Sequence, residues 1–213
     1  RPSGNKGPVA THIASFRKYQ REEAEIWEHM ALTRARLIAG DEHFRATLEG
    51  DIAAILSAPR DPAKVRREAR QMRALIETEK PPKDIWDIKL IPGGLIDLEF
   101  IAQVAVLTKA IGGPNRSTAT ADILAHLSDD FAGPQIRQDL SEAHGLYTGL
   151  TQIIRLCLTG NFDSADIPPG LTDLVTRSAD APDLGVLRAH LTETARNTRE
   201  IFDDLLTTKP VSH

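Results

Sequence analysis

The sequence predicts an all-α fold, an antiparallel bundle of about seven helices with one short extended segment. Of the 213 residues, 41% are hydrophobic but only 5% are aromatic, and this composition is typical of helices rather than of pleated sheets. Apolar residues recur three and four positions apart along most of the chain, which is the spacing of one helix face. We therefore expect a globular helical domain that buries a sizeable core.

Gly- and Pro-rich stretches divide the chain into three parts. Residues 1–10 are predicted to be a linker from an upstream structure, residues 11–206 to form the helical bundle domain, and residues 207–213 to be a loose tail. The sequence begins with Arg1 rather than an initiator methionine. This start indicates a fragment of a longer protein.

Capping residues and breakers set the predicted helix bounds. A long first helix is capped by Thr11 and stopped by Gly40, and Asp41 caps a second. Asp61, followed by a proline, starts a third. Residues 84–90 alternate between polar and apolar types as the short extended segment. The second and third helices are expected to end near residues 57 and 80, and the others to span about 95–107, 119–128, 134–159, 171–178 and 184–206.

Three helices have apolar faces that should point to the core. In the third helix a basic row of Arg66, Arg70 and Arg73 accompanies the apolar stripe. A solvated face is the default interpretation of this row, and docking of an acidic partner is the minor alternative. The stripe of the first helix is Ile13, Phe16, Gln20, Ala24, Trp27, Ala31, Arg34 and Ile38. That of the second helix is Phe44, Leu48, Ile52 and Ile55, and that of the third is Val65, Ala69, Met72 and Ile76.

Residues 87–100 are the most informative part of the sequence and read Asp-Ile-Lys-Leu-Ile-Pro-Gly-Gly-Leu-Ile-Asp-Leu-Glu-Phe. The two glycines allow the backbone to approach another group closely before a helix that should be buried nearly all round. A carboxylate in such a helix is unfavourable unless a cation or hydrogen bonds satisfy it. Arg34 is the predicted partner of Asp97 or Glu99. A structural ion pair, or the attraction of acidic residues to a helix N-terminus, would alone explain the pattern.

Charge and motif content exclude several classes of function. A formal net charge of -4 and a pI of about 6.0 disfavour nucleic acid and anionic membranes as partners. No apolar run approaches the roughly 20 residues that span a bilayer, and no signal-peptide pattern is present, so a cytoplasmic location is expected. The histidines are scattered without metal-ligand spacing, and no metal site is predicted. Cys157 lies in an apolar run and is expected to be buried and inert.

Three ordered motifs give the chain a family resemblance. Asp-Ile-Lys at 87–89, followed by Gly-Gly-x-x-Asp-Leu-Glu-Phe-x-x-Gln at 93–103, resembles the signature of the helical domain of glutamine synthetase adenylyltransferases. Residues 1–4, Arg-Pro-Ser-Gly, and residues 27–36, Trp-Glu-His-Met-Ala-Leu-Thr-Arg-Ala-Arg, also resemble segments of that family. The PII uridylyltransferases are similar at a greater distance. The matches span the first half of the chain.

The resemblance implies a helical part that follows the second nucleotidyltransferase core of a bifunctional adenylyltransferase and deadenylylase. The activity implied is transfer of AMP from ATP to a tyrosine of glutamine synthetase in nitrogen regulation. ATP and Mg²⁺ are the implied cofactors of the parent enzyme, and glutamine synthetase, the PII signalling protein and the upstream nucleotidyltransferase domain are the implied partners. The family's metal-binding carboxylates lie upstream on a Gly-Ser loop and nearby strands. No such pattern occurs here, so we expect no catalytic residue, no cofactor requirement and no activity in this chain alone.

By the same resemblance, the helical domain closes one side of the nucleotide cleft. The lysine and arginines among the cleft-lining candidates would meet phosphates through charge-assisted hydrogen bonds. A structural role is the favoured alternative for each of them. The second hypothesis for the whole chain is a regulatory docking module for PII or glutamine synthetase without nucleotide contact. The candidate cleft residues are Arg34, Arg36, Lys89, Asp97 and Glu99.

Overall fold

The computed structural model describes residues 10–112, 117–158, 162 and 167–207, and this part of the chain folds as a helical bundle. Within these ranges the only β-type pairing is an isolated bridge between Ile111 and Leu127. The all-α class is therefore confirmed, and most of the predicted linker and tail lies outside the described residues. The helices are α1 (Ile13–Glu22), α2 (Ile26–Leu32), α3 (Glu42–Ser57), α4 (Pro62–Glu79), α5 (Leu95–Leu107), α6 (Thr120–Ala125), α7 (Pro134–Cys157), α8 (Pro169–Ser178) and α9 (Leu184–Leu206).

Helix α5 lies at the centre of the bundle. It packs against α2, α3, α4, α6, α7 and α9, and most of its side chains are buried on every side, as predicted. Leu98, Ile101 and Val104 have no exposed surface. Burial of each such side chain stabilises the fold by about 1.5–3 kcal/mol. The polar residues of α5 are therefore placed where their partners must come from neighbouring helices.

The predicted long first helix is wrong, because the chain breaks it into α1 and α2. Glu25 adopts an extended conformation, and its backbone N–H donates to Glu28 Oε2 at 3.0 Å instead of to a carbonyl one turn earlier. Such a capping box starts a new helix. Trp27 and Ile38 are consequently 48% and 84% exposed rather than directed into the core. The predicted stripe depended on a continuous helix and is lost at the break.

Helices α3 and α4 begin as predicted. Asp41 Oδ1 accepts a hydrogen bond from the Phe44 N–H at 2.8 Å, and Asp61 Oδ1 accepts one from the Ala63 N–H at 2.9 Å. Phe44, expected to point inward, is 44% exposed, because it lies in the first turn of α3 beside the loop around Gly40. In the predicted apolar stripe of α4, Val65 and Ala69 are fully buried, whereas Met72 and Ile76 are half-buried.

The expected extended segment at 84–90 is instead a series of turns. Asp84 Oδ1 accepts a hydrogen bond from the Trp86 N–H at 2.8 Å, and the Asp87 carbonyl accepts from the N–H groups of Leu90 and Ile91. Aspartate favours such local turns over strand pairing. Trp86 and Ile88 are buried, so the alternation of polar and apolar residues reflects turn geometry.

Helix α7 ends close to its predicted limit, but the prediction for Cys157 is wrong. This cysteine is exposed, and the neighbouring Leu156 is 87% exposed. Both residues lie beyond Leu150, the last fully buried position of α7. The apolar residues at the end of α7 are therefore exposed, because the helix extends beyond the core. No helix in the described ranges is long and apolar enough to cross a membrane.

The turn before α5 brings two backbones into direct contact. Gly93 has φ of +78°, and a Cβ atom added there would lie 1.8 Å from the carbonyl oxygen of Ala195 in α9. A Cβ on Gly94 would lie 2.2 Å from the Ile88 carbonyl oxygen. The predicted close approach is confirmed, and the group approached is the chain's own backbone. Only glycine fits at either position.

Replacing Gly93 by alanine should separate α9 from this turn. The added Cβ clashes with a backbone carbonyl, and alanine at this position must adopt a positive φ. We therefore expect a loss of about 2–5 kcal/mol in the free energy of unfolding. Urea unfolding followed by circular dichroism measures it. The control is Gly145→Ala in α7, where a Cβ meets nothing within 4 Å and helix propensity should add about 0.5–1 kcal/mol. Equal midpoints for the two variants would contradict the assigned contact.

Candidate functional site

Asp97 is the buried centre of a polar network at the start of α5. Its side chain has no exposed surface. Oδ1 accepts a short hydrogen bond from Arg73 Nε, whereas Oδ2 accepts from the Gly93 N–H at 2.6 Å and from an Arg199 guanidinium nitrogen at 3.2 Å. One carboxylate therefore joins α4, the glycine turn and α9 to α5. Its oxygens are occupied, and the burial leaves no surface for a ligand to contact.

Arg73 contradicts the prediction of a uniformly solvated basic row. It is fully buried, and one guanidinium nitrogen donates to the carbonyl oxygens of Leu90 and Ile91, each at 3.0 Å. Another lies 3.4 Å from Glu77 Oε1. The spacing of Arg73 four residues after Ala69 was the sequence signal for burial, because Ala69 itself follows the buried Val65 by four.

The other arginines of that row differ from Arg73 in their surroundings. Arg66 lies over the ring of Phe131, with its guanidinium carbon 5.7 Å from the ring centre. Arg70 is exposed, as the default interpretation expects. The row is thus three residues with three separate environments, and it does not form one basic surface.

Arg199 closes the network from α9, and sequence reasoning missed it. Its guanidinium lies 2.6 Å from Glu77 Oε1 and 3.1 Å from Asp203 Oδ2, and it stacks over the ring of Phe202 at 5.1 Å. Burial by itself lowers the pKa of Arg199, but the charges of Asp97 and Glu77 raise it above its ordinary value. The spacing of Arg199 and Asp203 as an i, i+4 pair was the available signal.

Glu99 points away from this network towards a second, more open cluster. Two residues along a helix differ by about 200° in direction, so Asp97 and Glu99 face opposite sides of α5. Glu99 Oε1 lies 2.8 Å from an Arg34 guanidinium nitrogen, and the two side chains are 24% and 48% exposed. Arg34 therefore meets Glu99, one of the two partners predicted for it.

His144 of α7 belongs to the same cluster. Burial lowers the pKa of His144, while the nearby charge of Glu99 raises it and that of Arg34 lowers it. The histidine therefore lies within electrostatic reach of the ion pair. The Arg34–Glu99 pair joins the segment after α2 to α5, and His144 of α7 lies near enough for both charges to act on it.

The remaining candidates, Arg36 and Lys89, are both exposed. Lys89 borders a groove of about 240 Å³ together with Lys83, Trp86 and Arg155. The five candidates are therefore divided among separate places. Arg34 and Glu99 form a pair, Lys89 lies beside its own groove, and Asp97 is enclosed in the core.

The carboxylates near the glycine turn do not fit a magnesium site. The oxygens of Asp97 accept from two arginines and a backbone N–H, and Glu99 is paired with Arg34. Across the described ranges, no group of three or more His, Cys, Asp or Glu side chains is arranged to hold a metal ion. Metal-bound chemistry cannot be assigned to these residues.

Comparison with known proteins supports the family resemblance that the sequence motifs predict. A family model described as glutamate-ammonia ligase adenylyltransferase matches residues 1–51. A bifunctional glutamine synthetase adenylyltransferase/adenylyl-removing enzyme of Mesorhizobium japonicum is 61% identical over 206 residues. The resemblance to the glutamine synthetase adenylyltransferases is confirmed. It extends over 97% of this chain, well beyond the first half in which the motifs lie.

Other adenylyltransferases of this kind match over the same extent. The proteins of the same description from Brucella suis and Rhizobium meliloti are 52% and 48% identical, each over 97% of this chain. The chain spans about a fifth of the length of these curated relatives, since the matched part is 21% of each. The relatives' descriptions therefore apply to proteins much longer than the segment that is shared.

Removing the Asp97 carboxylate should destabilise the fold strongly. Asp97→Ala leaves Arg73 buried without its closest counter-charge, and we expect a loss of about 3–5 kcal/mol in the free energy of unfolding. Glu99→Ala is the matched control, because its partner Arg34 is half exposed and the pair should contribute about 0–1 kcal/mol. Chemical denaturation measures both. Similar losses for the two variants would contradict the division between a buried and an exposed carboxylate.

His144 should make the stability depend on pH. An unfolded histidine binds a proton near pH 6.5, whereas the pKa of folded His144 is lower, so the unfolded state binds more protons below that pH. The free energy of unfolding should therefore fall as the pH decreases from 7.5 to 5.5, and fall less in His144→Gln. His190→Gln, at an exposed position of α9, is the control. An unchanged pH dependence in His144→Gln would contradict the assignment.

Proposed function

We propose that this chain is the helical part of a bifunctional glutamine synthetase adenylyltransferase/deadenylylase and supports transfer of AMP from ATP to a tyrosine of glutamine synthetase. Its C-terminal place in the parent enzyme and its cytoplasmic location belong to the proposal. The observation that supports it most is the buried Asp97 network, which holds the Gly-Gly turn and the start of α5 rigid. A rigid element of this kind can position side chains against a separate catalytic core.

Three cationic side chains are the proposed contacts with nucleotide. Lys89 and Arg36 are exposed, and Arg34 keeps about half its side-chain surface while paired with Glu99. Such cations bind phosphate oxygens through charge-assisted hydrogen bonds. We place Arg34, Arg36, Lys89 and Glu99 at the cleft and assign Asp97 the role of an internal anchor.

The chemical step itself belongs to the rest of the proposed parent enzyme. ATP would supply the adenylyl group, and Mg²⁺ would stabilise charge on the reacting phosphates. In the proposal the upstream nucleotidyltransferase domain holds the metal, while this chain orients the nucleotide and excludes water from one side. PII is the proposed regulatory partner. The isolated chain is expected to have no transferase activity.

A chimaera with one of the relatives tests the proposal. The matching 206-residue segment of the Mesorhizobium japonicum relative is replaced by this chain. AMP incorporation into glutamine synthetase from labelled ATP is then measured. We expect activity in the chimaera and a KM for ATP raised roughly tenfold or more in Lys89→Ala and Arg34→Ala, because each loses a hydrogen bond to a charged group.

Arg196→Ala is the matched control, since Arg196 is exposed on α9 and its ion-pair partners in the described part of the chain are Glu193 and Glu200 of its own helix. Its KM for ATP should equal that of the unaltered chimaera. A folded but inactive chimaera would contradict the proposal. The docking module would be favoured instead if the chimaera is active, if Lys89→Ala and Arg34→Ala leave its KM for ATP unchanged, and if these variants weaken binding of PII or glutamine synthetase.

A further inference from the structure

A groove at the junction of the first four helices is lined by none of the candidate cleft residues. It has a volume of about 610 Å³ and lies where α1 and α2 meet the end of α3 and the start of α4. This volume is within the range of small-molecule sites, roughly 300–1,000 Å³. None of Arg34, Arg36, Lys89, Asp97 and Glu99 borders it. Its chemistry is therefore independent of the proposed nucleotide contacts.

Arg60 is one of the residues that line this groove, and its guanidinium group is positively charged. One of its terminal nitrogens donates to the carbonyl oxygens of Leu56 and Ala58, at 3.0 and 2.9 Å, and the other donates to the Ile55 carbonyl at 2.7 Å. Arg60 thus caps the C-terminus of α3, and the carbonyl oxygens that it meets there carry only partial negative charges. No carboxylate among the described residues lies within ion-pair distance of Arg60, and its Nε–H has no acceptor among them.

His29 also lines the groove beside Arg60, and its hydrogen bonds are those of a neutral ring. Its Nε2 lies 3.0 Å from the Gln20 carbonyl oxygen, which only accepts, so Nε2 carries the hydrogen. Nδ1 can then accept from the Arg60 terminal nitrogen at 3.3 Å. Burial, the largest effect, lowers the pKa of His29, and the charge of Arg60 lowers it further. His29 therefore holds Arg60 in place without compensating its charge.

The carboxylates on the rim of the groove already have partners. Asp51 pairs with Arg17 at 2.7 Å, Asp61 caps α4, and Glu25 belongs to the capping box of α2. Within the described ranges, none of these carboxylates forms an ion pair with Arg60. A second cation, Arg21, also borders the groove, without an ion-pair partner in the described part of the chain.

One wall of the groove is apolar. A ligand that reached Arg60 would lie along the end of α3 and its C-terminal turn, where it could exclude water from the charge and so strengthen the attraction. Charge alone would not distinguish this site from the surface, but charge beside an apolar wall selects for a ligand with both properties. The wall at the end of α3 consists of Ala54, Ile55, Ala58 and Pro59, and the apolar residues Ala24 and Ile26 line the groove from around the start of α2.

We propose that this groove binds a small organic anion, with a carboxylate or phosphate group at Arg60 and Arg21 and an apolar body against Ala54 and Ile55. The Arg60 Nε–H donates to the anionic oxygen, and Arg21 supplies a second positive charge from the rim. The site goes beyond the proposed adenylyltransferase role and depends on neither Lys89 nor Arg34.

Titrations of the 213-residue chain with four probes, followed by NMR of the His29 ring and the α3 amides, test the site. Phenyl phosphate and phenylacetate combine an anion with an apolar body, while inorganic phosphate and phenol each have one property only. We expect saturable shifts with at least one combined probe, and binding weaker by roughly tenfold or more for the single-property probes. The two combined probes distinguish phosphate from carboxylate.

Two neighbouring substitutions in α3 give a matched comparison. Ala54 and Ala53 are both exposed, but only Ala54 borders the groove. Ala54→Trp should fill the groove and abolish the saturable shifts, whereas Ala53→Trp should leave them unchanged. Arg60→Gln should weaken binding of the combined probe roughly tenfold or more. Because Arg60 also caps α3, its variant is interpreted only if circular dichroism shows it folded.

Three results would overturn the proposal. The first is the absence of saturable shifts with both combined probes. The second is equal binding by Ala54→Trp and Ala53→Trp. The third is binding of phenol as tight as that of phenyl phosphate and phenylacetate, because the anionic group would then contribute nothing. Each result is obtained on the chain itself, so failure of this site is distinguishable from failure of the chimaera to transfer AMP.

Discussion

Asp97 places a carboxylate in the apolar centre of the bundle, and several elements are arranged to satisfy it. Arg73 reaches it from α4, the Gly93 N–H from the turn before α5, and Arg199 from α9. A buried charge without such partners would be strongly unfavourable. The side chains therefore have to meet in one geometry, which fixes how α4, α5 and α9 lie relative to one another.

The glycine turn and the carboxylate depend on each other. Gly93 lets the chain touch the α9 backbone at Ala195, and that approach places its own N–H on Asp97. Arg73 in turn binds the carbonyl groups of Leu90 and Ile91 at the entrance to the turn. The glycine turn and Asp97 therefore serve first to hold α4, α5 and α9 together. The opposite side of α5, with Glu99, remains available at the surface.

Much of the fold could be predicted because its signals are local. Asp41 and Asp61 begin helices by capping their own first turns, and the apolar run of α5 predicts burial wherever it is placed. The break between α1 and α2 could not be seen in the apolar spacing, which continues through Glu25. For the site, Asp97 and Glu99 were identified as needing partners, but Asp97 obtained its arginines from α4 and α9 rather than from Arg34.

The sequence by itself determined the helical class, the capped starts of the helices, the need for glycine before α5 and the family resemblance, because each depends on residues close together in the chain. Only the tertiary structure decided that Arg73 and Arg199 share one buried carboxylate, that Cys157 is exposed, and that a groove forms around Arg60. These outcomes depend on contacts between distant helices. A residue's own neighbours in sequence do not specify which charge it meets across the core.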